Sequence, residues 1–236
     1  MCAMLRVESV DVFYNDFQAV SAASIEVPQK TILSIIGSNG AGKSTLMNAI
    51  CGINKIRSGK VFFKDEDITN MLPNKIVDMG LSFVPEGGRV FSRMTVRENL
   101  IVGSYTKRAR ANKEKALSHV YDLFPMLKEK ANQASGELSG GQRQMVAIGR
   151  ALMSNPEMIL FDEISLGLAP TIIKDIYARI RDINAEGVTV VLVEQDVKQS
   201  IKIAETIHVM LKGSICLSGA SSALTEDEIK KAYFGI

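Results

Sequence analysis

The chain is poor in cysteine and has no long hydrophobic run. Its three cysteines, Cys2, Cys51 and Cys216, are scattered over 236 residues with neither the spacing of a metal site nor an even disulfide framework, which favours a reducing compartment. The apolar run at 188–193 is far shorter than a membrane span, and the first residues lack the charged-then-apolar pattern of a secretion signal. We therefore expect a cytoplasmic protein that meets a membrane only as a peripheral partner.

Neither sign of charge dominates the sequence. Lys and Arg number 28 against 26 Asp and Glu, a net charge of +2, so no nucleic-acid-binding surface or acidic tail is apparent. Residues 107–115 include a basic cluster, but without interleaved aromatic residues it is more typical of a solvated helical face. We expect no nucleic-acid partner.

A glycine-rich segment at 37–45 follows the apolar run 31–36 and carries the clearest functional signal. A strand that ends in such a loop and continues as a helix points several backbone N–H groups into one concavity, which attracts polyphosphate. Lys43 can bridge the outer two phosphates, and Ser44 can offer its hydroxyl to Mg²⁺. The alternative is a glycine turn that closes a helix in an ordinary α/β domain. The predicted phosphate-binding residues are Ser38, Asn39, Gly40, Ala41, Gly42, Lys43, Ser44 and Thr45.

Two carboxylates, Asp162 and Glu163, follow a second apolar run at 158–161. The carboxyl end of a strand is where a doubly wound sheet places ligand chemistry. Asp162 is suited to hold Mg²⁺ from its outer coordination sphere, and Glu163 to orient and deprotonate a water in line with the γ-phosphate. The alternative is that two acids simply open a loop after a buried strand.

A second helix start with anion-binding character precedes the predicted helix at 143–152. It consists of Ser139, Gly140, Gly141 and Gln142. One chain thus has two such helix starts, although a single nucleotide needs only one. The alternative is a capped helix without a ligand.

With these three motifs in this order, essentially the whole chain resembles the ATP-binding cassette (ABC) family. The resemblance implies that the 138–142 segment of one subunit covers the γ-phosphate held by the phosphate loop of another. Two ATP molecules would then be sandwiched between two such domains. The second ATPase subunit would be either an identical chain or a homologue.

The predicted fold is an α/β P-loop NTPase (RecA-like) core with an N-terminal antiparallel β subdomain and an inserted α-helical subdomain. Alternation at 5–12 and 23–27 predicts antiparallel strands, and the β-branched run at 188–193 predicts a strand buried in a parallel sheet. Apolar residues at helical spacing predict a helix around 117–124 that Pro125 ends. The nucleotide-binding core is predicted at 1–88 and 156–236, and the helical subdomain at 89–155.

Three further positions acquire roles from the resemblance. Tyr14 stands where the family has the aromatic ring that stacks on adenine, although a core tyrosine is the alternative. Glu86 replaces the usual glutamine of a segment that senses Mg²⁺ and water and lies near the groove for the membrane partner. Gln195 replaces the usual switch histidine; its amide can contact the γ-phosphate and a water but cannot titrate.

The segments at 84–100, 165–170 and 193–196 are similar to those in ATPase subunits of branched-chain amino acid importers. The resemblance implies transmembrane permease subunits and a solute-binding protein as partners, with ATP and Mg²⁺ as cofactors. Urea and amide importers share much of this pattern and remain an alternative. So does a regulatory, non-hydrolysing subunit, which Gln195 and Ala169 suggest, and a non-transport cassette of DNA repair or translation.

Overall fold

Two β-sheets and a set of helices make up the computed structural model, which describes residues 3–235. The strands are β1 (Ala3–Tyr14), β2 (Phe17–Pro28), β3 (Ile32–Ile36), β4 (Ile56–Phe63), β5 (Glu66–Asp67), β6 (Leu81–Val84), β7 (Met158–Asp162), β8 (Thr189–Glu194), β9 (Thr206–Leu211) and β10 (Ser214–Ala220). The α-helices are α1 (Lys43–Ile50), α2 (Pro73–Met79), α3 (Val96–Val102), α4 (Lys107–Ala111), α5 (Lys113–Leu123), α6 (Pro125–Glu129), α7 (Gly140–Leu152), α8 (Pro170–Ala185), α9 (Val197–Ile203) and α10 (Glu226–Phe234). Cys2 lies outside the described residues.

The first sheet is antiparallel, with strand order β2-β1-β4-β5. The two strands predicted near the N-terminus are confirmed as its centre and one edge. The sheet also takes in β4 and β5, which follow the phosphate loop in the chain. This sheet is therefore built from sequence on both sides of that loop.

The second sheet has the order β10-β9-β3-β8-β7-β6, and all its pairings are parallel except that of β9 with the edge strand β10. Every residue of β3, β7 and β8 is buried, as β-branched and apolar runs predict for central parallel strands. The register pairs Ile36 with Glu194 and Asp162 with Val193. The carboxyl ends of these three strands therefore meet at one edge of the sheet.

This sheet separates two hydrophobic cores. Because side chains alternate along a strand, Leu33 and Ile35 face the core that contains the antiparallel sheet and α1, whereas Ile36 faces the core that contains α7 and α8. The antiparallel sheet and the helical layer are thus packed on opposite faces of the second sheet.

Helices α3 to α7 occupy the region predicted as the helical subdomain. The helix predicted around 117–124 is α5, which ends at Leu123; Pro125 does not simply terminate it but is the first residue of α6. The helix predicted at 143–152 begins three residues earlier, at Gly140. Among residues 3–235 no helix is both long and apolar enough to cross a bilayer.

Candidate functional site

The phosphate loop joins the buried strand β3 to α1, and its glycines allow backbone segments to approach closely. Gly42 is the N-cap of α1 with a φ of 102°, and a Cβ there would lie 2.6 Å from the Ala19 carbonyl oxygen. A Cβ on Gly37 would collide with the carbonyl oxygen of Met210. Residues of the neighbouring strands therefore pack closely against one side of the loop, and its opposite side is left for a ligand.

Lys43 holds its amine inside the loop. Its Nζ donates to the carbonyl oxygens of Gly37 and Ser38, at 2.8 and 3.1 Å, and lies 3.0 Å from Glu163 Oε1. The residue is only 3% exposed, so the charge is compensated inside the protein rather than by solvent. The amine therefore lies within the concavity of the loop, where it can contact a bound phosphate group.

Glu163 links the phosphate loop to the end of β8. Its Oε2 accepts a hydrogen bond of 2.6 Å from Gln195 Nε2, and its backbone N–H donates to the Val193 carbonyl oxygen at 3.0 Å. Its φ of 46° lies in the left-handed region, which a non-glycine residue adopts at a cost of about 1–2 kcal/mol. Such strain persists where surrounding contacts determine it, and it is concentrated at functional sites.

Ser44 and Asp162 form the second connection between the loop and β7. The Ser44 hydroxyl donates to Asp162 Oδ1 at 3.0 Å. Burial raises the pKa of Asp162 to about 6; the Ser44 bond lowers it, Glu163 and Glu86 raise it, and Lys43 lowers it. A cation bound beside Asp162 would stabilise the ionised form of this carboxyl group and so lower its pKa.

The oxygen atoms of Ser44, Asp162 and Glu86 suit a small divalent cation only when a bound ligand supplies further oxygen donors. Within residues 3–235 no group of three or more His, Cys, Asp or Glu side chains could hold a metal by itself. Mg²⁺ characteristically binds through one or two protein oxygens together with waters and substrate phosphates. The hydroxyl of Ser44 beside the buried Asp162, with exposed Glu86 nearby, fits that mode of binding.

A cavity of about 450 Å³ opens over the phosphate loop. It is lined by Tyr14, Phe17, Ala19, Asn39, Gly40, Ala41, Gly42, Lys43, Ser44, Thr45, Glu86, Glu163 and Leu166. Tyr14 lies at the rim and is 48% exposed, which is not the burial of a core tyrosine. Its hydroxyl accepts a hydrogen bond of 2.8 Å from Asn54 Nδ2, so the ring is held over the opening.

The four residues of the second helix start lie apart from this cavity. Ser139 is the N-cap of α7: its hydroxyl accepts from the Gln142 N–H at 3.3 Å, and the Gln142 amide oxygen accepts from the Ser139 N–H at 3.0 Å. Ser139 and Gly140 are exposed, whereas Gly141 is buried against Ile172 of α8. None of the four lines the cavity over the phosphate loop.

Sequence reasoning missed several residues that complete the site. Asn54 positions Tyr14, and Phe17 and Leu166 line the cavity. Asn54 and Phe17 belong to no motif, and Leu166 lies in the 165–170 segment but had no predicted role there. Glu194 was also missed, although it is a charged residue at the end of an otherwise apolar buried strand. The contrast between this acid and its apolar strand is the sequence feature that indicates a functional residue, because a buried acid requires an internal partner.

A protein-family model described as "ABC transporter" matches residues 20–165 of the chain. The chain is 42% identical to the high-affinity branched-chain amino acid transport ATP-binding protein BraG of Pseudomonas aeruginosa, over 98% of this chain and all of that protein. It is 33% identical to the probable branched-chain amino acid transport ATP-binding protein LivG of Methanocaldococcus jannaschii, covering 98% of this chain and 97% of the relative.

Solved structures resemble the fold over almost its full length. The ADP conformation of MJ1267, an ATP-binding cassette of an ABC transporter, superposes with a TM-score of 0.84 and 33% identity, covering 98% of this chain and 94% of that one. A nucleotide-free ATP-binding cassette from an ABC transporter gives a TM-score of 0.84 and 30% identity, covering 100% and 96%. The predicted fold class is confirmed.

Proposed function

The chain belongs to the ABC transporter family of ATPases, and we propose that it powers an importer of branched-chain or other hydrophobic amino acids. The observation that carries the catalytic part is that Lys43 and Glu163, which line the cavity over the phosphate loop, are paired with each other, and that Gln195 is bonded to Glu163. The amino acid substrate is supported by three similar proteins named as branched-chain amino acid transport ATP-binding proteins, at 42, 33 and 30% identity.

ATP binding exchanges the internal partners of Lys43 for phosphate oxygens. The β- and γ-phosphates enter the loop, where the Lys43 amine and the N–H groups at the start of α1 face them. Glu163 then loses its ion pair with Lys43 and is available to accept a proton from a water. Gln195, already bonded to Glu163, orients that carboxylate and the water, while Tyr14 stacks on the adenine ring.

Ser44, Asp162 and Glu86 would hold Mg²⁺ beside the phosphates. The bound ion supplies neutralisation of the negative charge that develops on the phosphoryl oxygens. The described geometry supports this assignment because the Ser44 hydroxyl and the Asp162 carboxylate lie within hydrogen-bonding distance of each other at the base of the loop.

A second ATPase subunit completes each active site. None of the residues 139–142 lines this chain's own cavity over the phosphate loop, and two of them, Ser139 and Gly140, are exposed to solvent. An opposed subunit, identical or homologous, can place that segment over the γ-phosphate.

Permease subunits dock on an apolar groove of about 230 Å³ between the sheet and the helical layer. Phe91 and Tyr105 line it and are about half exposed, and the guanidinium of Arg150 lies 5.2 Å from the centre of the Phe91 ring. We place the chain on the cytoplasmic face of the membrane, in a complex that also includes a solute-binding protein.

Replacement of Glu163 tests the catalytic assignment. In Glu163→Gln we expect ATP binding to persist and steady-state hydrolysis to fall by at least about 100-fold, because a general base is lost while the phosphate loop is intact. ATP-bound dimers should accumulate, measurable by size-exclusion chromatography with ATP. Glu66→Gln, an exposed carboxylate of β5, is the matched control.

Hydrolysis at the wild-type rate in Glu163→Gln would refute the assigned role. The solute is tested separately, by reconstituting the full complex in vesicles and measuring uptake of leucine against urea. Uptake of urea alone would refute amino acid import while leaving the ATPase assignment intact.

A further inference from the structure

Glu194, the last residue of β8, is an acid buried beside the catalytic cavity. It is only 2% exposed and lies directly before Gln195 in the chain and opposite Ile36 in the sheet register. An ionised carboxylate in such a place is unfavourable unless it has internal partners. Its partners therefore indicate what it does.

The carboxylate of Glu194 holds the segment that follows Glu163. Its Oε2 accepts a hydrogen bond of 2.7 Å from the hydroxyl of Ser165. Its Oε1 and the hydroxyl of Tyr177, on α8, are both buried, and neither has a hydrogen-bond partner within residues 3–235. Glu194 thus lies between the turn after β7 and the helix that follows it.

That turn determines the backbone of Glu163. The Leu166 N–H donates to the Glu163 carbonyl oxygen at 3.3 Å, and the Leu168 N–H to the Ser165 carbonyl oxygen at 3.3 Å. Glu163 itself has the unfavourable positive φ that needs support from its surroundings. The bond from Glu194 to Ser165 supplies such support two residues away.

We propose that Glu194 is a positioning residue for ATP hydrolysis, which acts by anchoring the turn 163–168 through Ser165 and so maintains the orientation of Glu163 toward Gln195. This inference rests on the ATPase function proposed above. It assigns Glu194 no contact with nucleotide, so ATP affinity should be unaffected by its replacement.

The charge state of Glu194 gives the proposal a distinctive signature. Burial raises its pKa to about 6; the hydrogen bond from Ser165 of the turn lowers it, whereas the charges of Glu163 and of Asp196, the cap of α9, raise it. Glu194 is therefore ionised at pH 8 and becomes protonated as the pH falls below about 6. A hydrogen bond from Ser165 to a neutral carboxyl is weaker than one to a carboxylate.

Glu194→Gln mimics the protonated side chain at every pH. At pH 8 we expect kcat of the full-length variant to fall by about tenfold, the kinetic equivalent of weakening one charge-assisted hydrogen bond, with the Kd for ATP within about twofold of wild type. The ratio of wild-type to variant kcat should fall to about 3 at pH 5.5, where about three-quarters of wild-type molecules have a neutral Glu194, and should approach one at lower pH. Other titrating groups are present in both proteins and cancel in the ratio.

Ser165→Ala provides a second route if Glu194→Gln folds poorly. It removes the same bond, so its kcat should fall similarly, and the double variant should be no slower than the slower single variant. Ser200→Ala is the control: it removes a buried hydrogen bond of 3.0 Å to Ser34, away from the turn, and should leave kcat within about twofold.

Wild-type kcat at pH 8 in either Glu194→Gln or Ser165→Ala would overturn the proposal. So would a loss of ATP affinity as large as the loss of kcat with a ratio that does not change with pH, because that is the result of general structural damage. Failure of the ATPase function itself would be recognised differently, by an inactive wild type or an unimpaired Glu163→Gln.

Discussion

At the sheet edge where the carboxyl ends of β3, β7 and β8 meet, the charge and pKa of individual side chains depend on burial more than on their position in a motif. Lys43 and Glu163 neutralise each other across 3.0 Å, and Asp162 and Glu194 both have a pKa raised to about 6. A raised pKa in an acid contributes stability that is present below its unfolded value and is lost as the pH rises through the folded value. These two carboxylates therefore cost stability at neutral pH, a cost that the proposed roles in ATP hydrolysis would explain.

His208 changes the stability of the fold with pH in the opposite direction. Its Nδ1 is 2.6 Å from the hydroxyl of Ser218, its Nε2 is buried without a hydrogen-bond partner in the described chain, and burial lowers its pKa to about 4. A histidine with a depressed pKa contributes stability above its unfolded value near 6.5, and that stability is lost as the pH falls toward 4. The expected loss is about 3 kcal/mol.

We predict that His208→Gln removes this loss. Between pH 7.5 and 4.5 the free energy of unfolding should fall by about 2–3 kcal/mol less in the variant than in wild type, measured by urea denaturation. Identical pH profiles for wild type and His208→Gln would contradict the assignment.

At the scale of elements, the parallel register places three strand ends at one edge and so creates the site. The sequence predicts this well, because β3, β7 and β8 are continuous apolar runs that end in polar motifs. It does not predict the pairing of β4 and β5 with the N-terminal strands, since that depends on contacts distant in sequence. Nor does it predict α10, where Ile229 is the single buried residue and the apolar pattern is correspondingly weak.

The start of α7 depends on a close contact with α8. A Cβ on Gly141 would lie 2.6 Å from Ile172 Cγ2, whereas one on Gly140 would have Leu168 Cδ2 as its nearest neighbour at 3.6 Å. We predict that Gly141→Ala destabilises the chain by about 1–3 kcal/mol although alanine favours helix, because the two helices must separate. Gly140→Ala, the matched control, should leave stability almost unchanged.

Thermal or urea unfolding of both glycine variants measures this difference. Adding Ile172→Val, which keeps Cγ2, should recover little of the lost stability, whereas Ile172→Ala in the Gly141→Ala background should relieve the clash. Equal stability of the two glycine variants would show that the α7–α8 contact does not constrain this position.

At the scale of the whole molecule, the proposed ATP site is divided between the phosphate loop and the start of α7, which does not line the cavity over that loop. The motifs made each half recognisable from sequence, since phosphate loop and α7 cap are both local structures. The contacts between motifs were not accessible in the same way: the bonds from Gln195 to Glu163 and from Ser165 to Glu194 span 32 and 29 residues and exist only once β7 and β8 pair. Because Ser139 and Gly140 do not line this chain's own cavity, the proposed function requires a second subunit to bring the two halves together.

The most direct test of this claim is the rate of ATP hydrolysis per chain as the chain is diluted, for wild type and Ser139→Ala. Opposed subunits predict a wild-type rate that falls on dilution and a Ser139→Ala rate that stays low throughout. Thr225→Ala, which breaks the equivalent capping box of α10, controls for loss of a helix cap and should behave as wild type. A rate per chain that is independent of concentration and unaffected by Ser139→Ala would contradict the account.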